Sequence, residues 1–152
     1  MNEENCQDQP ESMPSFIGVK IINACPRPCP SDRYKSKAGD PGYMVQYEDG
    51  YTSWSPAAAF EEAYRKTNNM NFGLAIEAMR KGHAVARKGW NGRGIFCKLQ
   101  VPDANSKMTS PYIYIDTTGL QTDNQDAPKS LVPWLASQTD MLADDWQIVF
   151  VR

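Results

Sequence analysis

The chain of 152 residues contains no run of about 18 apolar residues, so nothing in it reads as a membrane-spanning helix. Its opening, MNEENCQDQPES, is too polar for a secretion signal. These two absences predict a soluble, intracellular protein with no membrane partner. A surplus of positive charge is also missing, since 16 Lys and Arg face 18 Asp and Glu. Long nucleic acid is therefore an unfavourable partner, whereas a small anion is not. Cysteine is scarce and scattered (Cys6, Cys25, Cys29, Cys97), which suggests free thiols rather than a disulfide scaffold. Cys25-Pro-Arg-Pro-Cys29 could supply half of a tetrahedral zinc site, but no second pair accompanies it. The prolines make it a surface loop, and neither metal nor cofactor is expected. The sole histidine, His83, suits a helix C-terminus better than a ligand or base. Ser137 has no histidine near it, and Asp144 and Asp145, being adjacent, would diverge on a helix. With no nucleophile and base set legible, the chain is not expected to be an enzyme.

What is present divides the chain in three. Residues 1–15 are polar without apolar periodicity and are expected to be disordered. Residues 16–69 read as a small ββα accessory module: a strand at FIGVKII, then GYMVQYEDGYTSW as a hairpin turning at Asp49-Gly50. Ser55-Pro56 supplies a cap and a first-turn proline for a helix over AAAFEEAYRK, with Phe60 and Tyr64 packed on the hairpin. Residues 70–152 form the main module. Asn71 caps a helix whose apolar positions Phe72, Ala75, Ile76 and Met79 share a face, and Gly82 ends it. AVARKGW and GIFCKLQV follow as a strand pair linked through residues 91–94, YIYID as a third strand, then a Pro-Trp turn. A short helix capped around Thr139 or Asp140 and a strand from Gln147 to Val151 close the chain. The predicted fold is α+β, with a small, mainly antiparallel sheet and one or two helices after the accessory module.

Two stretches could carry chemistry. From Arg80 to Lys98 six Lys or Arg occur without an acid, and ARKGWNGRGIF sets Arg87, Lys88 and Arg93 among three glycines, Asn91 and Trp90. Glycines admit a ligand close to the backbone, arginine offers forked donors to phosphate, and an indole offers a stacking plane. The plainer alternative is a hairpin turn with a core tryptophan. In VPWLASQTD, Trp134 precedes Ser137, Gln138, Thr139 and Asp140, short polar groups that can hold ribose or base edges, or simply cap a helix.

MNFGLAIEAMRKGHAVARKGWNGRGIF together with VPWLASQTDMLADDW resembles the second Thoeris anti-defence family, over about residues 70–152. Members are phage and prophage proteins that act as sponges for cyclic nucleotide immune signals. The resemblance implies a homo-oligomer, a tetramer with sites between protomers. It implies a ligand among the cyclic ADP-ribose isomers, such as glycocyclic ADP-ribose, with cyclic dinucleotides held by some relatives. Binding would occur without cleavage, in the cytoplasm of the infected host. Carried onto this chain, it points to Trp90, Asn91, Trp134, Thr139 and Asp140, followed by Arg87, Lys88 and Ser137. Either Trp90 or Trp134 would stack on adenine. The chain departs from short members in residues 16–66 and in the long loop from Thr117 to Lys129. The rival readings are an enzyme degrading the same signal and a phage structural or assembly protein.

Overall fold

A computed structural model describes residues 19–32 and 38–151. The tail expected over 1–15 and the start of FIGVKII lie outside the described residues. Among these residues, two antiparallel sheets and three helices make an α+β fold, as the sequence pattern predicts.

The first sheet has the order β1-β2-β3, with β1 at Asn23–Pro26, β2 at Gly42–Gln46 and β3 at Thr52–Pro56. The turn between β2 and β3 falls where Asp49-Gly50 predicts it; Gly50 takes a φ of 84° and its N–H donates to the Tyr47 carbonyl. β1 is displaced from FIGVKII. Apolar content marks a strand, but the ladder forms where a partner exists, and β2 offers positions 43–46 to Asn23–Pro26. Helix α1 (Ala57–Ala63) starts directly after Pro56, without a side-chain cap. The Ser55 hydroxyl expected in that role reaches only the Pro56 carbonyl, at 3.5 Å, because residues 52–56 are still paired as β3. Phe60 stacks on Tyr43 (ring centroids 4.2 Å) and on Tyr64 (4.9 Å), so the helix packs on the hairpin as expected.

The second sheet has the order β7-β6-β5-β4-β8, with β4 at Ala84–Arg87, β5 at Phe96–Gln100, β6 at Tyr112–Asp116, β7 at Leu131–Pro133 and β8 at Trp146–Val149. Helix α2 (Phe72–Arg80) lies across it. Asn71 caps the helix through a 2.9 Å bond from the Leu74 N–H. Its end is a Schellman turn: Gly82 N–H bonds Met79 O, His83 N–H bonds Ala78 O, and Gly82 takes a φ of 90°. His83 therefore sits just past the helix C-terminus.

The apolar face of α2 meets the sheet in one cluster: Met70, Ala75, Ala78, Met79, Val85, Cys97 and Trp146 are all buried. Each large apolar side chain so removed from water contributes about 1.5–3 kcal/mol, so this cluster dominates the stability of the second module. Met70 exchanges both backbone bonds with Trp146, and Ile148 N–H reaches Thr67 O at 2.9 Å. These bonds lace the segment between the two sheets onto the edge of β8. Two local readings need correction: Pro133 ends edge strand β7 rather than forming a turn, and α3 (Gln138–Met141) is capped by Ser137 rather than by Thr139 or Asp140. An edge position tolerates proline because the missing N–H faces away from the ladder.

Candidate functional site

The register of β4 on β8 builds the site. Arg87 lies opposite Trp146, which brings the preceding residue, Asp145, against the guanidinium. Arg87 Nε donates to Asp145 Oδ1 at 2.8 Å, and its Nη1 donates to Asp140 Oδ1 at 2.9 Å. The side chain is only 16% exposed. Both ion pairs hold Arg87 more firmly protonated, Asp145 contributing more than Asp140. Asp145 is correspondingly more acidic, chiefly through Arg87, with partial burial opposing the shift. The expectation that Asp144 and Asp145 diverge on a helix does not apply, because both fall in the turn between α3 and β8.

Asp140 is the hub. Its Oδ1 also accepts the Trp90 indole N–H at 3.1 Å, and its Oδ2 accepts the Ser137 hydroxyl at 2.6 Å and the Ser137 N–H at 3.1 Å. Ser137 Oγ in turn accepts the Asp140 N–H, completing a capping box that holds the four-residue α3. Burial pushes the Asp140 pKa upward, but the bonds from Ser137, Arg87 and Trp90 outweigh it and bring the value to about 2. The backbone carbonyl of the same residue accepts the Trp146 indole N–H at 2.9 Å. Two indoles are therefore anchored on one aspartate.

Trp90, Trp134 and Trp146 meet edge to face, with centroids 5.4–6.0 Å apart, and Phe72 joins them at 5.3 Å from Trp146 and 6.3 Å from Trp134. Trp146 is fully buried, whereas Trp90 and Trp134 are half-buried and reach the surface.

The glycines of this segment serve its own packing. Gly89 N–H donates to Asp145 Oδ2 at 2.8 Å, and a Cβ there would stand 2.9 Å from that oxygen. Gly94 has a φ of 80°, and a Cβ would run into the Gly119 carbonyl oxygen. Gln121 N–H bonds Arg93 O at 2.9 Å, so the long loop from 117 is bridged to the glycine turn.

The structure thus joins five of the eight candidate residues: Arg87, Ser137 and Asp140 in one polar network, with Trp90 and Trp134 above it. The remaining three, Lys88, Asn91 and Thr139, are exposed, and their side chains bond to nothing among the described residues. They also face apart. Asn91 borders a shallow hollow of about 680 Å³ with Leu120, Gln121, Asp123 and Lys129, whereas Lys88 opens into a cleft beside α2. Sequence reasoning missed Asp145 and Trp146. The available signal was charge complementarity, a run of cations free of acids near Arg87 against the acids of DMLADDW.

Fold and site define a small antiparallel α+β module whose sheet carries a tryptophan cluster locked by a partly buried Arg-Asp network. A family model for the Thoeris anti-defense 2-like domain matches residues 70–149. The protein named Thoeris anti-defense 2 of Bacillus phage SP01 is 37% identical over 93 residues, which is 53% of this chain and 94% of that protein. The chain belongs to the Thoeris anti-defence 2-like family.

Proposed function

We propose that this protein is a phage anti-defence factor that captures a cyclic nucleotide immune signal of the glycocyclic ADP-ribose class and holds it without cleavage. Membership of the family and the name of its phage relative support the anti-defence role. The observation that carries the ligand is the pair of surface-reaching indoles, Trp90 and Trp134, with the uncommitted side chains of Asn91 and Thr139 near them in sequence. One indole stacks on the base, and stacking of this kind is worth about 1–3 kcal/mol. Asn91 and Thr139 hold ribose and base edges, whereas Lys88, which opens into the cleft beside α2, stands apart from the indoles. Arg87, Ser137 and Asp140 position the indoles. Arg87 also keeps its Nη2 free of partners among the described residues, so it can still reach an anion.

The indoles line neither the Asn91 hollow nor the α2 cleft. A second copy of the chain completes the pocket. Around the site, Leu135 is 91% exposed and Leu142 78%, with Leu131, Val132 and Met141 exposed beside them in sequence, an apolar flank suited to burial in a homo-oligomer.

Capture and degradation separate in one experiment. The protein is incubated with excess glycocyclic ADP-ribose, washed by ultrafiltration and heated, and the released ligand is analysed by mass spectrometry. Recovery of intact ligand in fixed ratio to protein is expected, and Trp90→Ala or Trp134→Ala abolishes it. Turnover of ligand beyond the protein concentration establishes the rival enzyme instead, and absence of retention refutes the reading.

A further inference from the structure

We propose that the cleft between the first sheet and α2 is a second ligand site, separate from the tryptophan cluster, that takes a small ligand of the nucleoside phosphate class. The cleft is a groove open to solvent along one side, with room for about 1100 Å³. One wall is the stacked series Tyr43, Phe60 and Tyr64, all three of which line the cleft. Because the rings stack on one another, the wall presents ring edges along its length, suited to edge-to-face contact with a flat base, and leaves a ring face for stacking only at its ends, Tyr43 and Tyr64.

The rim is cationic. Lys66, Lys81 and Lys88 line the cleft and form no ion pair among the described residues. Of the acids that line it, Glu77 pairs with Arg80 at 3.3 Å, whereas Glu61 accepts the Tyr43 hydroxyl at 2.9 Å and keeps its charge, one carboxylate against the three lysines. Of the other cations, Lys20 sits 5.4 Å over the Tyr47 ring, and Arg65 Nη1 is bonded to the Glu61, Glu62 and Tyr64 carbonyls of α1 and its end. The charge left to attract a ligand is therefore positive, and it comes from lysines whose ammonium groups suit phosphate oxygens.

The floor is fixed in advance. Thr67, Met70 and Ile148 all line the cleft, and they are the residues whose backbone bonds lace the connecting segment to β8. These bonds fix the connecting segment, and with it Thr67 and Met70, before a ligand arrives, so the floor needs no ordering on binding. The aromatic wall belongs to residues outside the span matched by the family model, so this site is a property of the longer chain.

The test is an NMR titration of the full chain with ADP, and in parallel with adenosine and with inorganic pyrophosphate. ADP is expected to shift the ring resonances of Tyr43 and Tyr64 and the amides from Lys66 to Met70. Adenosine and pyrophosphate alone should bind at least about tenfold more weakly, since each lacks one half of the recognition. The exposed double variant Lys66→Glu plus Lys81→Glu should weaken ADP by about a hundredfold, tenfold per cation, with its other amide positions unchanged as proof of folding. Phe60→Leu, which keeps the helix packed but removes the central ring, should weaken ADP and leave pyrophosphate unaffected. The proposal is overturned by no shifts up to about 1 mM ADP, by shifts confined to Trp90 and Asn91, or by pyrophosphate binding as tightly as ADP. The two sites are told apart by their variants: Trp90→Ala should abolish retention of glycocyclic ADP-ribose and leave the ADP titration unchanged, whereas Lys66→Glu plus Lys81→Glu should weaken ADP and leave that retention intact, so failure of either site leaves the other standing.

Discussion

Replacing Asp140 by asparagine keeps the side-chain shape and removes the charge on which Arg87, Trp90 and Ser137 converge. The folded pKa of Asp140 is about 2 against an ordinary 3.8. At 1.36 kcal/mol per pH unit, that difference corresponds to about 2 kcal/mol of native-state preference for the ionised form. The folded value is depressed, so this stabilisation is complete above about pH 4 and is lost as pH falls through about 2. The variant lacks it at every pH. At pH 7 it should therefore be less stable by about 2 kcal/mol, a fall in melting temperature of roughly 4–8 °C for a domain of this size. Asp145 keeps Arg87 from being left without a counter-charge, which is why the loss should stay below the 3–5 kcal/mol typical of a broken buried pair. Urea unfolding followed by tryptophan fluorescence reports the region directly, since three of the four tryptophans lie in the cluster. Between pH 4 and 2 the wild type should lose stability more steeply than the variant, and Asp144→Asn, at an exposed neighbour, should behave as wild type. An unchanged midpoint at pH 7, or superimposable acid limbs, would show that the network is not what holds the indoles.

Gly94→Ala should cost about 1–3 kcal/mol or more, because it combines a left-handed backbone with a collision at the Gly119 carbonyl; a thermal-shift comparison with Gly50→Ala, which has the same backbone sign but open space, isolates the collision. Leu135→Glu with Leu142→Glu should reduce the solution mass measured by light scattering without lowering the stability of the protomer, since both side chains are exposed in it. Cys97, buried and with its thiol pushed up to about 12 mainly by that burial, should resist alkylation at pH 8 until the protein unfolds, whereas exposed Cys25 should be labelled within minutes; peptide mass spectrometry reads both.

Features set by short-range chemistry were legible in the sequence. The Asn71 cap, the Gly82 termination of α2 and the Asp49-Gly50 turn each depend on a side chain and backbone within five residues, and all three stand where the pattern puts them. β1 and β7 were not placed correctly, because a ladder begins where its partner's register allows and Pro133 is admitted by an edge that only the strand order reveals. The site divided along the same line. The sequence marked Arg87 as a cation beside glycines, which also describes a phosphate ligand, and nothing local distinguished a free guanidinium from one bound across 58 residues to Asp145. Likewise the glycines read as room for a ligand, yet their immediate neighbours are Asp145 and Gly119.

This inward use of Arg87 and the glycines bears on how the indoles could bind anything. A tryptophan on a surface turn loses rotamer freedom when a ligand immobilises it, at about 0.5–1.5 kcal/mol per side chain. Here the Trp90 N–H is held by the Asp140 carboxylate, the Trp146 N–H by the Asp140 carbonyl, and Trp134 packs edge-on against both rings. In the proposed site the ordering cost would therefore be met during folding, and a base arriving at Trp90 or Trp134 would meet a plane already fixed. Arg87 contributes most to such a site by staying bound to its two aspartates. Its replacement by lysine, which keeps the charge but loses the fork that spans Asp140 and Asp145, should accordingly weaken ligand capture nearly as much as loss of an indole.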